Sequence, residues 1–266
     1  MDLKLTGKRV LVTGASKGIG LAVVQAFRAE GALVTAVSRR STPELEATGA
    51  TFVAADLSTP DGPRRMVETV LAADSRLDVL VNNAGGGTLP EGSIGNVLDG
   101  DDEIWHDVFE MNLHSAVRVT RAALPALLEA RGAIVNISSD TARRIGAPGA
   151  TPLPYAAAKT SLNMFTRALA ERVGPEGVRV NAVSPSLTRT FSIAGDGGYI
   201  SQVAGAFGVE HATLLGGLPK ELGMLTGQMI EPDEIARAVL LLSSPTMPSV
   251  MGSNWSVDAG STKVAV

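Results

Sequence analysis

Short apolar runs and longer stretches with helical spacing take turns along this chain. Arg9–Thr13 (RVLVT), Leu33–Val37, Thr51–Ala54, Asp78–Val81 (DVLV), Gly132–Ser138 (GAIVNIS), Val178–Val183 (VRVNAV) and Trp255–Val257 are brief and rich in Val and Ile. They lack the in–out alternation of a half-exposed strand, which predicts strands covered on both faces. Between them lie Ile19–Glu30, Pro60–Ala73, Asp102–Ala130, Tyr155–Val173 and Pro232–Leu242, whose patterns predict helices. Ile19–Glu30 stops at Gly31, a residue suited to a helix C-terminus. Strand–helix repetition predicts parallel βαβ units, and right-handed crossovers wind them into one α/β sheet with helices on both faces. No low-complexity linker interrupts the pattern, so residues 1–266 are expected to form one doubly wound domain. Thr190–Ile230 has no strong period and is rich in glycine and in apolar residues such as Phe191, Tyr199 and Leu218. It is expected to be a lid, at about residues 190–230, over a site with an apolar or amphiphilic occupant.

Composition narrows the function classes. With 45% hydrophobic and 19% charged residues the chain can build a large core, and its net charge of -4 argues against a nucleic-acid partner. It has no cysteine, which excludes thiol catalysis and cysteine-ligated metal. Its three histidines form no ligand-spaced cluster with carboxylates, so no catalytic metal is expected. No apolar run approaches the ~20 residues that span a bilayer, and the first residues lack a signal-peptide core. A cytoplasmic protein without a membrane partner is the expectation.

Thr13-Gly14-Ala15-Ser16-Lys17-Gly18-Ile19-Gly20 lies between the first predicted strand and the first helix. Gly14, Gly18 and Gly20 permit a tight turn and close approach of backbone to a pyrophosphate, and the helix N-terminus offers amide donors. In a doubly wound sheet this first βα turn is the dinucleotide site of a Rossmann-type fold. NAD-preferring folds place an acid after the second strand, on the ribose 2′-hydroxyl. This chain has Ser38-Arg39 there, and Lys17 in the glycine turn. Both cations suit a 2′-phosphate, which predicts NADP(H) over NAD(H). Asp56, with Leu57 beside it after the third strand, is positioned for the adenine amino group. Asn83-Ala84-Gly85-Gly86-Gly87 after the fourth strand lets backbone approach the adenosine ribose.

Tyr155-Ala156-Ala157-Ala158-Lys159 places a phenol and an ammonium four residues apart on a helix, hence on one face. A phenol titrates near ~10 in water, and a neighbouring cation lowers that value. The spacing therefore predicts a tuned acid/base. Pro154, just before Tyr155, suits a helix start and a first-turn position for the tyrosine.

The glycine turn, Asn82-Asn83-Ala84-Gly85, Asn112, Ile137-Ser138-Ser139, Tyr155 with Lys159, and the closing Ser256-Val257-Asp258-Ala259-Gly260 occur in an order that resembles the short-chain dehydrogenase/reductase superfamily, in its 3-oxoacyl-reductase-like branch. The resemblance covers essentially the whole chain. It implies a sheet of about seven strands in the order 3-2-1-4-5-6-7 and a homotetramer or dimer formed through the long helices. It implies an oxidoreductase that moves a hydride between a nicotinamide and a small-molecule carbonyl or secondary alcohol. In that reading Tyr155 is the general acid/base, Lys159 lowers its pKa and binds the nicotinamide ribose, and Asn112 holds a relay water. Ser139, or Ser138 beside it, polarises the carbonyl. Pro185 and Thr188 line the nicotinamide amide, although Ser184-Pro185-Ser186 departs from the Pro-Gly common in the family. The gap between Ser139 and Tyr155 is a few residues longer than usual, with Pro148, Pro152 and Pro154 in a stretch expected to be a stiff loop.

Two other readings use the same residues. Gly14-Ala15-Ser16-Lys17-Gly18 fits the G-x-S-x-G elbow of a serine hydrolase, which then needs an acid and a histidine brought to Ser16. A dinucleotide-binding sensor without catalysis needs only the fold, and leaves Asn112, Ser139, Tyr155 and Lys159 without a task.

Overall fold

Seven parallel strands pair in the order β3-β2-β1-β4-β5-β6-β7. The computed structural model describes residues 1–86, 98, 100–144 and 152–263, and the structural statements below concern these residues. The strands are β1 (Arg9–Thr13), β2 (Leu33–Ser38), β3 (Thr51–Ala54), β4 (Val79–Asn82), β5 (Ala133–Ile137), β6 (Arg179–Pro185) and β7 (Asn254–Val257). The helices are α1 (Gly18–Ala29), α2 (Pro43–Glu46), α3 (Gly62–Ala73), α4 (Asp102–Phe109), α5 (Ser115–Ala130), α6 (Leu153–Val173), α7 (Phe191–Ala194), α8 (Tyr199–Phe207), α9 (His211–Glu221) and α10 (Pro232–Ser243). Predicted boundaries hold to within two or three residues. One extension is β6, which runs on to Pro185 because Ser184 and Pro185 pair with Ser256 and Val257 of β7.

The sheet separates two apolar layers, as period-two side-chain alternation requires. Val10 and Val12 of β1, with Val79 and Val81 of β4, pack on one side with Val23, Val24 and Phe27 of α1 and Ile235 and Val239 of α10. Leu11 and Leu80 face the other way, onto Met66 and Val67 of α3 and Val119 and Leu127 of α5. Burial on both faces explains why the strands read as unbroken apolar runs. Because β1 has β2 on one side and β4 on the other, the chain reverses its direction of winding there, which opens a crevice at their C-terminal ends.

Two predicted segments differ from expectation. Asp102–Ala130 is not one α-helix: Glu110–His114 forms a single π-helical turn between α4 and α5. Such turns insert an extra residue and recur at functional sites; this one carries Asn112. Thr190–Ile230 contains α7, α8 and α9, although its sequence has no strong period. These helices are short and separated by glycine-containing turns, so no single period extends across the segment. Gly87 and Pro148 lie outside the described residues.

Candidate active site

The glycine turn is clamped from the end of β4. Asn83 Nδ2 donates to the carbonyls of Thr13 (2.9 Å) and Gly14 (3.0 Å), while the Thr13 hydroxyl accepts from the amides of Asn83 and Ala84, both at 3.0 Å. Gly20 is required because a Cβ there would stand 2.2 Å from the Gly14 carbonyl oxygen. The turn opens into a cleft of about 1000 Å³ that runs from Ser38 and Arg39 to Tyr155 and the α7–α9 region.

At the far end of that cleft, α6 delivers its first turn against the end of β5. Pro154 is the second residue of the helix and Tyr155 the third, so the predicted placement holds. Lys159 is 3% exposed, and its ammonium donates to the Ile137 carbonyl at 2.9 Å. Ser139 lines the cleft with the Tyr155 phenol and acts on it, favouring its charged form. Ser138 instead sends its hydroxyl to the Lys159 carbonyl at 3.4 Å. Of the two serines, Ser139 is the one that joins the phenol.

Asn112 reaches this point from the π turn. Its Oδ1 accepts from the Gly86 amide at 3.0 Å, and its Nδ2 donates to the carbonyls of Gly86 (3.0 Å) and Val108 (2.9 Å). The side chain therefore holds the Gly85-Gly86 loop instead of presenting a free amide. Gly85, at φ +157, is squeezed between this site and the lysine: a Cβ there would lie 2.7 Å from Asn112 Oδ1 and 3.3 Å from Lys159 Nζ.

A family model described as Enoyl-(Acyl carrier protein) reductase matches residues 14–262, a span that takes in the glycine turn, Asn112, Ser139, Tyr155 and Lys159. The chain belongs to the short-chain dehydrogenase/reductase superfamily, of the 3-oxoacyl-reductase-like type. A cyclopentanol dehydrogenase of a Comamonas species is 34% identical over 97% of this chain and 98% of its own length. A 3-oxoacyl-[acyl-carrier-protein] reductase FabG of Chlamydia muridarum is 33% identical over 98% and 99% respectively. Among solved structures, the L-sorbose reductase of Gluconobacter frateurii, complexed with NADPH and L-sorbose, superposes with a TM-score of 0.86 at 30% identity, covering 100% of both chains. This short-chain dehydrogenase/reductase is accordingly an NAD(P)-dependent oxidoreductase.

The cleft of this dehydrogenase/reductase fits a dinucleotide by its shape and by its donors. Ser16, Lys17, Gly18 and Ile19 line it beside the N-terminus of α1, and Ala84, Pro185 and Thr188 line it further along. At the Ser38 end, the Ser38 hydroxyl donates to the Arg40 carbonyl at 2.7 Å. Asp56 Oδ1 accepts from the Ser58 hydroxyl at 2.7 Å and the Ser58 amide at 3.0 Å, which together hold its carboxyl below the usual carboxylate range. Leu57 is buried beside it. Arg40 and Thr42 also line this end; the sequence shows Arg40 only as the second of an isolated pair, and Thr42 carries no motif. Lys17 lies 5.7 Å from the centroid of the Phe191 ring, so the glycine turn touches α7.

The electrostatics of the pair differ from what its spacing predicts. Burial pushes the Tyr155 phenol up to about 12; the Ser139 hydroxyl pulls against this and the charge of Asp140 adds to it. Burial also brings Lys159 down to about 8. The expected lowering of the phenol by Lys159 is absent, because the ammonium is directed at Ile137 and sits 5.6 Å from the centroid of the tyrosine ring. Asp140 is a residue that sequence reasoning missed. It is buried at the cleft wall and paired with Arg144, its Oδ2 accepting from Arg144 Nε at 2.6 Å. Its only signal was its place directly after the serine pair.

The hydrolase alternative fails on geometry. Ser16 lines the cleft, but no histidine does so among the described residues, and His211 on α9 faces Asp196 at 3.9 Å.

Proposed function

We propose that this enzyme is an NADP(H)-dependent carbonyl reductase that also runs in the alcohol-oxidising direction. The observation that carries the reading is the placement of Ser139 and Tyr155 together at the cleft end, with Lys159 one helical turn further along α6. Bound NADP(H) supplies or takes up the hydride. Tyr155, whose pKa is raised and which therefore stays protonated at neutral pH, gives its proton to the carbonyl oxygen as charge develops there. Ser139 donates a second hydrogen bond to the same oxygen, an oxyanion-type contact. Lys159, anchored on the Ile137 carbonyl, would bind the nicotinamide ribose and bring a buried positive charge beside the cofactor. Asn112 fixes the glycine loop next to Lys159, beside the route by which water restores the proton.

Arg39, at the Ser38 end of the cleft, and Lys17, in the glycine turn that also lines it, support the NADP(H) preference, since no acid stands where NAD-preferring folds place one. NAD(H) remains the weaker substitute. Residues 1–266 act as one dinucleotide-binding domain, with α7, α8 and α9 as the lid. Ile193, Tyr199, Ile200 and Leu218 of this lid line the cleft, which supports an amphiphilic substrate. Met164 of α6 is 69% exposed, which supports the long helices as the face that builds a homotetramer or dimer. We place the enzyme in the cytoplasm, where reduced NADP pools drive reduction.

The test is a fluorescence titration with NADPH and NADH, paired with reduction assays of wild type and Tyr155→Phe. Tight NADPH binding by both proteins, with turnover only in wild type, is the expected result. A phenylalanine variant that still reduces carbonyls would defeat the role given to Tyr155. Tighter NADH than NADPH binding would overturn the cofactor assignment.

A further inference from the structure

Hydride transfer between a nicotinamide and a simple ketone has no use for a buried charged pair beside the phenol, yet the cleft wall carries one. Asp140 is 3% exposed and lines the cleft directly after Ser139. Its Oδ2 accepts from Arg144 Nε at 2.6 Å and from the Ser261 hydroxyl at 3.3 Å. Ser261 Oγ in turn stands 3.1 Å from the hydroxyl of Ser186, the residue that departs from the family's usual glycine. One carboxylate oxygen is thus held by two groups, Arg144 and Ser261.

The other oxygen is less engaged. Among the described residues, Oδ1 meets only the Ser139 hydroxyl, at 3.5 Å, the long limit of a hydrogen bond. Each carboxylate oxygen accepts about two hydrogen bonds, so Oδ1 keeps acceptor capacity. It keeps it beside Ser139 Oγ, which together with the Tyr155 phenol brackets a carbonyl oxygen in the proposed reaction. The 3.5 Å between the serine and carboxylate oxygens is a span matched by two oxygens on adjacent carbons.

We propose that Asp140, braced by Arg144 and Ser261, accepts a hydrogen bond from a hydroxyl on the carbon next to the substrate carbonyl, so that the site is built for α-hydroxy ketones and the vicinal diols they yield. The proposal rests on the reductase reading and adds the substrate class. The pair is neutral overall, and Asp140 repels a carboxylate or phosphate placed at that carbon, which leaves a neutral donor as the matching group. Phe191, Ile200 and Leu218, which line the same cleft, suit a hydrocarbon body. Asp140 also offsets its own cost to the chemistry: the negative charge that opposes phenolate formation is partly satisfied once a substrate hydroxyl donates to it.

The experiment compares 2-hydroxycyclohexanone with cyclohexanone, both reduced by NADPH. Wild type is expected to favour the hydroxylated ketone in kcat/KM by about tenfold or more, the scale of one hydrogen bond to a charged acceptor. Asp140→Asn should bring that ratio to within about twofold of unity, chiefly through a raised KM for the hydroxy ketone. Ser261→Ala, which removes one brace from Oδ2, should lower the ratio by about threefold. Thermal melts and NADPH titration accompany each variant; if Asp140→Asn does not fold, the wild-type ratio and Ser261→Ala decide. Turnover of both ketones by wild type without preference would overturn the hydroxyl acceptor and leave the reductase standing, and so would an asparagine variant that keeps the preference. No reduction of either ketone with either nicotinamide would overturn the reductase reading and this proposal together.

Discussion

The Lys159 ammonium donates to the main-chain carbonyl of Ile137 at 2.9 Å, tying the helix that bears Tyr155 to the strand end that leads into Ser139. Two residues that share one carbonyl oxygen in the proposed reaction are thereby joined through a third. Because the lysine is buried, its charge acts in a medium of low dielectric, where its effect on a group bound beside it is larger than in water.

That placement predicts a pH profile. Burial brings Lys159 down to about 8, whereas Tyr155 is pushed up to about 12. In the free enzyme the phenol is protonated across the whole neutral range, as a proton donor in reduction must be. Lys159 is charged below about 8 and loses its proton above it. Reductive kcat/KM should therefore be level from pH 6 to 7.5 and fall as pH rises through about 8, while alcohol oxidation should increase toward alkaline pH. Measuring both directions between pH 6 and 10 checks this, and a reductive profile level to pH 10 counts against the lysine.

Arg39 is exposed at the cleft rim, where a phosphate can pair with it. Arg39→Ala should weaken NADPH binding by about tenfold or more, since charge-assisted contacts to phosphate are the strong ones. NADH affinity should change far less. Calorimetric or fluorescence titration of both cofactors gives the ratio directly; equal losses for the two would remove Arg39 as the phosphate ligand.

Gly20 has no room for a side chain, because a Cβ there would stand 2.2 Å from the Gly14 carbonyl oxygen. Gly20→Ala must push apart the turn that Asn83 clamps, so NADPH affinity should fall by at least about tenfold. The cost falls on the turn and not on the two apolar layers, so the variant should still unfold cooperatively. Affinity within twofold of wild type would show that the turn can relax at little cost.

Asp78 anchors the start of β4. It is 3% exposed and accepts from the Arg9 amide at 2.9 Å, Lys8 at 3.0 Å and Arg76 at 2.7 Å. Burial opposes the charged form, but Arg76, the Arg9 amide and Lys8 outweigh it and hold the carboxyl below its usual value. Asp78→Asn should cost about 2 kcal/mol at pH 7, less than breaking a fully buried pair, because Lys8 and Arg76 keep contact with solvent. A depressed carboxyl contributes stability above its unfolded pKa, near ~3.9, and loses it as pH falls through the folded value. Urea melts should thus show a gap between wild type and variant at pH 7 that narrows by pH 3; a gap independent of pH would assign the effect to packing alone.

Much of the site was legible because it is local in sequence. Gly14, Gly18 and Gly20 announce their turn by spacing, and Tyr155 and Lys159 announce theirs by sharing a helix face. Asn112 was legible only through the family pattern, since its task depends on a π turn that no periodicity reveals. Asp140 was marked only by its place after the serine pair, and Ser261 not at all. They lie far apart in the chain, and their side chains meet only after β5, β6 and the segment following β7 come together.

By itself, the sequence determined the parallel α/β sheet, the dinucleotide turn and the phenol–ammonium pair. Apolar runs, glycines and i, i+4 spacing act over a few residues and need no distant partner to be recognised. Tertiary structure alone decided which serine meets Tyr155, where the Lys159 charge is directed, and that a carboxylate stands beside them. Those outcomes depend on burial and on hydrogen bonds between segments remote in the chain. Desolvation, which raises the phenol and lowers the ammonium, is a property of the folded interior and not of the spacing between two residues.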